Sequence, residues 1–354
     1  MSRPDAIIIG AGIVGAACAA ALARDGLRVS VMESHIPGGG VTGAGMGHIV
    51  VIDDNPAEFA LTRYSRGLWD EMIPHLPVEA ECSRCGTLWV ACDDEELTGA
   101  REKHSRLEEA RLEAHILDPV QLAEAEPNLR AGLAGGLLVP GDSVLYPPWV
   151  TQWFLRSSPM IELRREAATM LRLDAPIRIL ATGSQTDLMP QLPIRSRKGH
   201  LVITDRYPGL LNAELVELGY LKSAHGGGTE SVAFNVQPRL TGQLLIGSSR
   251  QFGPTTADVE PHMVRRMLQR AFEFVPALAQ CKAVRTWTGF RAATPDNLPY
   301  IGPWAEDPGL WIAMGHEGLG LTTAPGVAGL LADLIADRAP AITAEPYLPS
   351  RIAA

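Results

Sequence analysis

The first thirty residues alternate between apolar runs and short breaks in a fixed order. Ala6-Ile7-Ile8-Ile9 is apolar throughout, the pattern of a short strand buried on both faces. Gly10-Ala-Gly12-Ile-Val-Gly15 interrupts it, and the alanine-rich stretch that follows predicts a helix to about Arg24, stopped at Gly26. Leu27 to Met32 predicts the next strand, ending at Glu33. Further along, apolar and charged residues at helical spacing over Leu97 to Ala114 predict a surface helix whose charge run is a solvated face. Asn235 to Gly247 predicts a hairpin turning at Thr241-Gly242, and His225-Gly-Gly-Gly-Thr229 reads as a link between strands.

Strand, GxGxxG, helix, strand, acid is the order of a dinucleotide-binding unit. Gly10 permits the tight turn, Gly12 lets a pyrophosphate approach the backbone, and Gly15, with Ala19 a turn later, lets helix and strand pack closely. Ile13 and Val14 open the helix, whose N-terminus presents free N–H groups and a positive dipole end to phosphate. Glu33, followed by Ser34, is placed to accept hydrogen bonds from a ribose diol. This unit leaves NAD and FAD both open. A second glycine-dense loop follows at once, running from Pro37 through Gly40, Thr42, Gly43, Ala44, Gly45, Met46 and Gly47 to His48. Backbone N–H groups exposed in such a loop suit a flat ring such as an isoalloxazine. The apolar residues Ile49 to Ile52 that follow argue against a flexible linker.

The chain's 354 residues suit two domains rather than one core. A formal net charge of −9 argues against nucleic acid as a partner, yet leaves room for a small anionic substrate held by local cations. Cys18, Cys82, Cys85, Cys92 and Cys281 are odd in number and widely spaced, which fits reduced thiols in a cytoplasmic protein; Cys82-Ser-Arg-Cys85 lacks the second pair or histidine of a metal site. The uncharged stretch Ala6 to Ala23 has the glycines of a nucleotide loop and lacks a basic leader, so neither a signal sequence nor a membrane span is expected. Peripheral docking at the inner membrane stays open.

Together the two loops resemble the D-amino-acid oxidase superfamily of flavoenzymes, which includes glycine oxidase, sarcosine oxidase and amino-acid dehydrogenase subunits. Three later stretches carry the resemblance through nearly the whole chain. Ile177-Arg-Ile-Leu-Ala181-Thr182-Gly183 looks like the strand that closes the FAD domain, and Arg197-Lys198-Gly199-His200 like the crossing into the substrate domain. Trp287-Thr-Gly289-Phe-Arg291 through Thr294, Asp296, Pro299 and Gly302 is similar to the family's W-x-G-x-R-x-x-T-x-D-x-x-P-x-I-G stretch. There the arginine binds the substrate carboxylate, a role that comes to Arg291; pairing with Asp296 as scaffold is the alternative. Gly315-His316-Glu317-Gly318-Leu319-Gly320-Leu321-Thr322 is similar to the C-terminal flavin loop, with a helix expected from about Ala324 to Ala336. This form of the loop looks more like the subunits of opine oxidases and D-hydroxyproline dehydrogenases.

The resemblance implies an α/β fold: a Rossmann-type FAD-binding domain and a second, α+β substrate domain on a mostly antiparallel sheet. Residues 1–77, 140–200 and 285–354 would form the first, and 78–139 and 201–284 the second. The chain passes from Ile161-Glu-Leu-Arg-Arg almost directly to Ile177, short of the meander usual in relatives, so the adenine contact is expected near Glu166 or Ala167. With no cysteine near Arg291 or in the Gly315 loop, non-covalent FAD is expected. His48 and Glu317 are candidates to assist the amine, and Tyr220 to cap the pocket. The implied activity is hydride transfer from an amino or imino acid to flavin N5. D-Hydroxyproline, D-proline or an opine are the preferred substrates, with electrons passing to partner subunits. A stand-alone oxidase, a non-catalytic FAD subunit and an NAD-dependent dehydrogenase are the rival readings.

Overall fold

The computed structural model describes residues 3–52, 54–168, 173–219 and 229–353. Its strands are β1 (Ala6–Ile9), β2 (Val29–Met32), β3 (His48–Ile49), β4 (Thr87–Ala91), β5 (His115–Leu117), β6 (Gly135–Val139), β7 (Ser143–Val144), β8 (Ile161–Arg164), β9 (Ile177–Leu180), β10 (Arg195–Arg206), β11 (Glu214–Glu217), β12 (Glu230–Pro238), β13 (Gln243–Phe252), β14 (Ala283–Ala293), β15 (Tyr300–Pro303) and β16 (Leu310–Met314). The helices are α1 (Ile13–Arg24), α2 (Val41–Ala44), α3 (Pro56–Met72), α4 (Asp94–Glu109), α5 (Pro119–Ala125), α6 (Pro147–Leu155), α7 (Pro261–Phe274) and α8 (Gly320–Ile335).

Two large sheets organise these elements. The first has the order β15-β16-β9-β1-β2-β8, parallel except for β15 at one edge. All four residues of β1 are buried, as its unbroken apolar run requires of a strand covered on both faces. α1 is buried almost all round because alanine, cysteine and glycine let α8 and α6 lie close against it; it stops before Gly26, which turns with φ +88°. β8 and β9 follow one another with no strand between them among the described residues, so the shortened segment runs from the sheet edge back to its middle.

The second sheet has the order β14-β10-β13-β12-β11-β4-β6-β5 and is antiparallel except where β11 meets β4. α7 sets Met263, Met267, Ala271 and Phe274 against it at helical spacing, and Phe274 stacks on Phe234 with centroids 4.3 Å apart. β12 and β13 make the expected hairpin, with Gly242 at φ +82°. Residues 195–200 and 285–293, assigned by sequence to the first domain, pair here, because β10 and β14 are long strands that run together. The link at residues 225–229 lies outside the described residues except for Thr229.

Two boundaries differ from the sequence expectation. α4 ends at Glu109 rather than near Ala114: Arg111 adopts φ +60°, and the N–H of Leu112 closes back on Leu107 O at 2.9 Å, a left-handed stop that leads into β5. α8 begins at Gly320, four residues before Ala324, and carries Pro325 inside it. Pro325 has no N–H for Leu321 O. The fully buried indole of Trp69 donates instead to Leu321 O (3.3 Å) and Thr322 O (2.9 Å).

Candidate functional site

A cavity of about 1130 Å³ is lined by residues from both sheets. One end is built by the loop after β1. Gly10 has φ +101°, and a Cβ there would lie 2.5 Å from Ala181 O, so only glycine lets β1 and β9 end side by side. A Cβ at Gly15 would lie 2.0 Å from Gly10 O; this glycine presses α1 onto the loop and does not itself line the cavity. Gly12 caps α1 without a side chain, and Ile13 N–H donates to Thr42 Oγ1 at 3.0 Å, which ties the second glycine loop to the first. Glu33 accepts from Ala11 N–H (2.9 Å) and His35 N–H (2.8 Å) while lining the cavity beside Ser34.

The predicted nucleotide residues Gly10, Gly12, Ile13 and Val14 line this cavity, as do Gly40, Thr42, Ala44, Gly45, Met46 and Gly47 of the second loop. Ala181, Thr182 and Gly183 after β9 join them, with Gly289 on β14. Glu166 and Ala168 also reach the wall. From the last loop come His316, Glu317, Gly318, Leu319, Gly320 and Leu321. Gly43, Gly315 and Thr322 stand behind the wall. The Thr322 hydroxyl donates to His48 O at 3.0 Å, joining α8 to β3. Leu319 caps α8 with no side-chain acceptor, so the helix opens toward the cavity with free N–H groups. His316 is buried, and burial pushes its imidazole down to about 4; its Nδ1 meets Thr323 Oγ1 at 3.3 Å and its Nε2 has no hydrogen-bond partner among the described residues.

Arg291, Glu317 and His48 also line the cavity. Arg291 donates from Nη1 to Ser249 O at 3.0 Å and has Gly318 beside its Nε. Asp296 pairs instead with Arg351 at 2.7 Å, so the scaffold pairing weighed for Arg291 is taken by another arginine. Glu317 holds φ +49° and binds Arg197 Nη1 at 3.0 Å. His48 lines the cavity; its Nε2 is hydrogen-bonded to Thr87 Oγ1 at 2.7 Å, and its Nδ1 lies 3.1 Å from Glu214 Oε1 without a hydrogen bond between them. Burial, reinforced by Arg66, drives its imidazole down to about 3, so it is neutral at physiological pH. Behind it, Asp142 is pushed up to about 7 by burial, although the Thr87 hydroxyl and Arg66 draw it down; Arg66 Nη1 lies 2.9 Å from its carboxylate. Glu214 is raised well above the usual carboxylate range, first by burial and then by Asp142.

Tyr220 lies outside the described residues. Sequence reasoning missed this buried group behind His48, and also Arg250, Asn235 and Ser248, which line the cavity from the antiparallel sheet. The signal for Arg250 was present: it is a lone charge at the end of the otherwise uncharged run Leu244 to Ser249. Cys82 and Cys85 are free thiols, and burial raises both, Cys85 to about 12. Among the described residues, no helix is long and apolar enough to cross a membrane.

The profile of the family described as FAD dependent oxidoreductase (DAO) matches residues 5–334. Glycine oxidase of Pseudomonas aeruginosa is 28% identical over 97% of this chain and 98% of its own. The hydrogen cyanide synthase subunit HcnC of the same organism is 27% identical, covering 98% and 96%. The crystal structure of glycine oxidase from Geobacillus kaustophilus superposes with a TM-score of 0.87 at 24% identity, covering 98% of each chain, a likeness of fold.

Proposed function

The chain belongs to the DAO family of FAD dependent oxidoreductases, and from that premise we propose that it oxidises an amino or imino acid at the carbon next to nitrogen. The residues present fit the cofactor. A volume of about 1130 Å³ exceeds the roughly 300–1,000 Å³ of an ordinary small-molecule pocket. Two helices, α1 and α8, start at its wall without side-chain caps, and the buried Nε2 of His316 lacks a partner among the described residues. FAD, when bound, supplies the hydride acceptor at N5. The first glycine loop, with Glu33, Ser34 and Ala181 to Gly183, would hold its nucleotide arm non-covalently; the second glycine loop, Gly289 and the 315–321 loop would hold the ring end.

The observation that carries the reading is Arg291: a guanidinium fixed on Ser249 O, lining the cavity, with Gly199 and Gly318 leaving it uncovered. A planar fork grips a carboxylate bidentately and orients the neighbouring C–H. The amine must be neutral to lose hydride. The desolvation that keeps His48 neutral disfavours an ammonium in the same place, so His48 acts as a polar wall and Glu317 as a fixed carboxylate beside the amine.

The preferred substrates are D-proline-like imino acids, D-hydroxyproline among them, and opines. Electrons pass to partner subunits in this reading, which is supported by the likeness to a synthase subunit. Five free cysteines suit a cytoplasmic setting. An anaerobic titration with amino and imino acids tests the proposal: bleaching of the flavin's visible band is expected, and slow reoxidation by oxygen separates a dehydrogenase from an oxidase. Arg291→Lys should weaken carboxylate substrates by about 2–5 kcal/mol. Unchanged affinity would reject the arginine's role.

A further inference from the structure

The floor of the cavity runs well past Arg291. That guanidinium donates to Ser249 O on β13 and lies over Gly199 on β10, where a Cβ would come within 2.4 Å of its Nη1, so the anchor sits between these two strands. Beyond β13 the sheet continues through β12 and β11 to β4. Gly247, Asn235, Val216 and Trp89 are directly opposed across these four strands, so the last three present one face, and all three line the cavity. A Cβ at Gly247 would lie 3.0 Å from Met46 Sδ, so the missing side chain leaves the methionine room to lie on the floor. At about 4.8 Å per strand, Val216 and Trp89 stand about 10 and 14 Å across the sheet from β13.

The far part of the floor is an apolar arm. Val50, Trp89 and Val216 are buried in one cluster with Ile52 and Leu319 packed against it, and all five line the cavity. Past Ile52 the lining continues to Asn55 and the exposed Asp54 before α3, so the arm reaches the surface there. A ring the size of proline, gripped at Arg291, ends within about one strand spacing and leaves the arm unfilled. Trp89 Nε1 is buried without a hydrogen-bond partner among the described residues, and Lys103 stands over the same ring, 5.0 Å from its centroid. A donor and a cation at this place repel a positively charged tail, and the apolar walls withhold the hydration that a carboxylate tail needs. An uncharged carbon chain gains from the same walls.

We propose that the cavity takes an amino or imino acid carrying an extended, uncharged apolar substituent, on nitrogen or on the α-carbon, lodged among Val50, Trp89, Val216 and Leu319. The inference rests on Arg291 as the anchor of the carboxylate, as read above. A series from (methylthio)acetate to (octylthio)acetate, in which sulfur replaces the amine and no imine can form, is titrated into the FAD-loaded protein. Perturbation of the visible flavin band and calorimetry are the readouts. Each methylene that enters the arm should tighten binding about fourfold, so the octyl acid should bind at least about tenfold tighter than the methyl acid. A tail of the same length ending in an ammonium should stay within about threefold of the methyl acid. Val216→Phe, which fills the arm, should bring the octyl-to-methyl ratio to within about threefold. A wild-type ratio below about tenfold, an ammonium tail that matches the octyl chain, or a full ratio persisting in Val216→Phe overturns the proposal. The wild-type series decides alone if the variant does not fold. N-Octylglycine against sarcosine, and 2-aminodecanoate against alanine, in the anaerobic assay tell which atom carries the chain. If sarcosine or alanine bleaches the flavin and length brings no advantage in any series, only the arm is wrong. If no amino acid bleaches it and no thioether acid binds, the amino-acid reading falls with it.

Discussion

Replacing Trp69 by phenylalanine should loosen the start of α8, and with it the wall that the preceding loop gives the cavity. The indole N–H is shared between Leu321 O at 3.3 Å and Thr322 O at 2.9 Å. Pro325 withholds the donor that Leu321 O would otherwise receive within the helix, and Trp69 is fully buried, so water cannot take its place. Leaving a buried acceptor unmet costs about 1–3 kcal/mol. The smaller ring adds a packing loss unrelated to the hydrogen bond, which a second substitution isolates. Pro325→Ala returns an N–H within reach of Leu321 O and should therefore be worth more in the Trp69→Phe background than in the wild type, with a coupling of about 0.5–3 kcal/mol. Urea unfolding of the apoprotein is the appropriate assay, because bound FAD would mask the change by mass action. A loss below about 0.5 kcal/mol, the range of an ordinary surface substitution, would refute the argument, as would a cycle with no coupling.

Glu126 accepts from the N–H groups of Asn212 (2.8 Å) and Ala213 (2.6 Å), yet burial outweighs them and raises its carboxyl to about 7. The folded state then holds the proton more tightly than the unfolded chain, so the stability this contributes is complete below about pH 4.5 and lost as pH rises through about 7. Glu126→Gln should gain on the wild type by up to about 3 kcal/mol between pH 4 and pH 8, read as paired unfolding curves; parallel curves would exclude it. Gly10→Ala forces a Cβ to 2.5 Å from Ala181 O at a positive φ. It should weaken FAD binding, measured by titration of the apoprotein, by about 1–3 kcal/mol or more, and unaltered affinity would mean the loop does not touch the cofactor.

The nucleotide end of the site was legible because its chemistry is contiguous. A strand, three glycines, a helix start and an acid fall within residues 6–33, and each works through its own backbone or its immediate neighbours. The strand from Ile177 and the loop from Gly315 were found the same way. The errors at helix ends have local causes of a different kind. A proline at position 325 argues for a helix beginning just before it, and nothing nearby in sequence announces that an indole at position 69 will supply the missing donor. Arg111, likewise, has no composition that marks a left-handed stop. In both places a contact beyond the local window, or a conformation unusual for the residue, decided the boundary.

The meeting of three arginines in one cavity is hidden for a further reason. Arg197, Arg250 and Arg291 are each visible as a charge in a strand, but their convergence depends on the order β14-β10-β13 and on the register between them. Side chains alternate between faces, so a slip of one residue in either pairing would turn one arginine away from the other two. Three separate readings of the chain therefore give three isolated cations, whereas the paired strands bring three guanidiniums to the lining of one cavity. The placement of these cavity-lining arginines thus depends on long-range register, while the residues proposed to hold the nucleotide depend on a local turn. For this chain, a sequence motif can report the cofactor far more readily than the substrate.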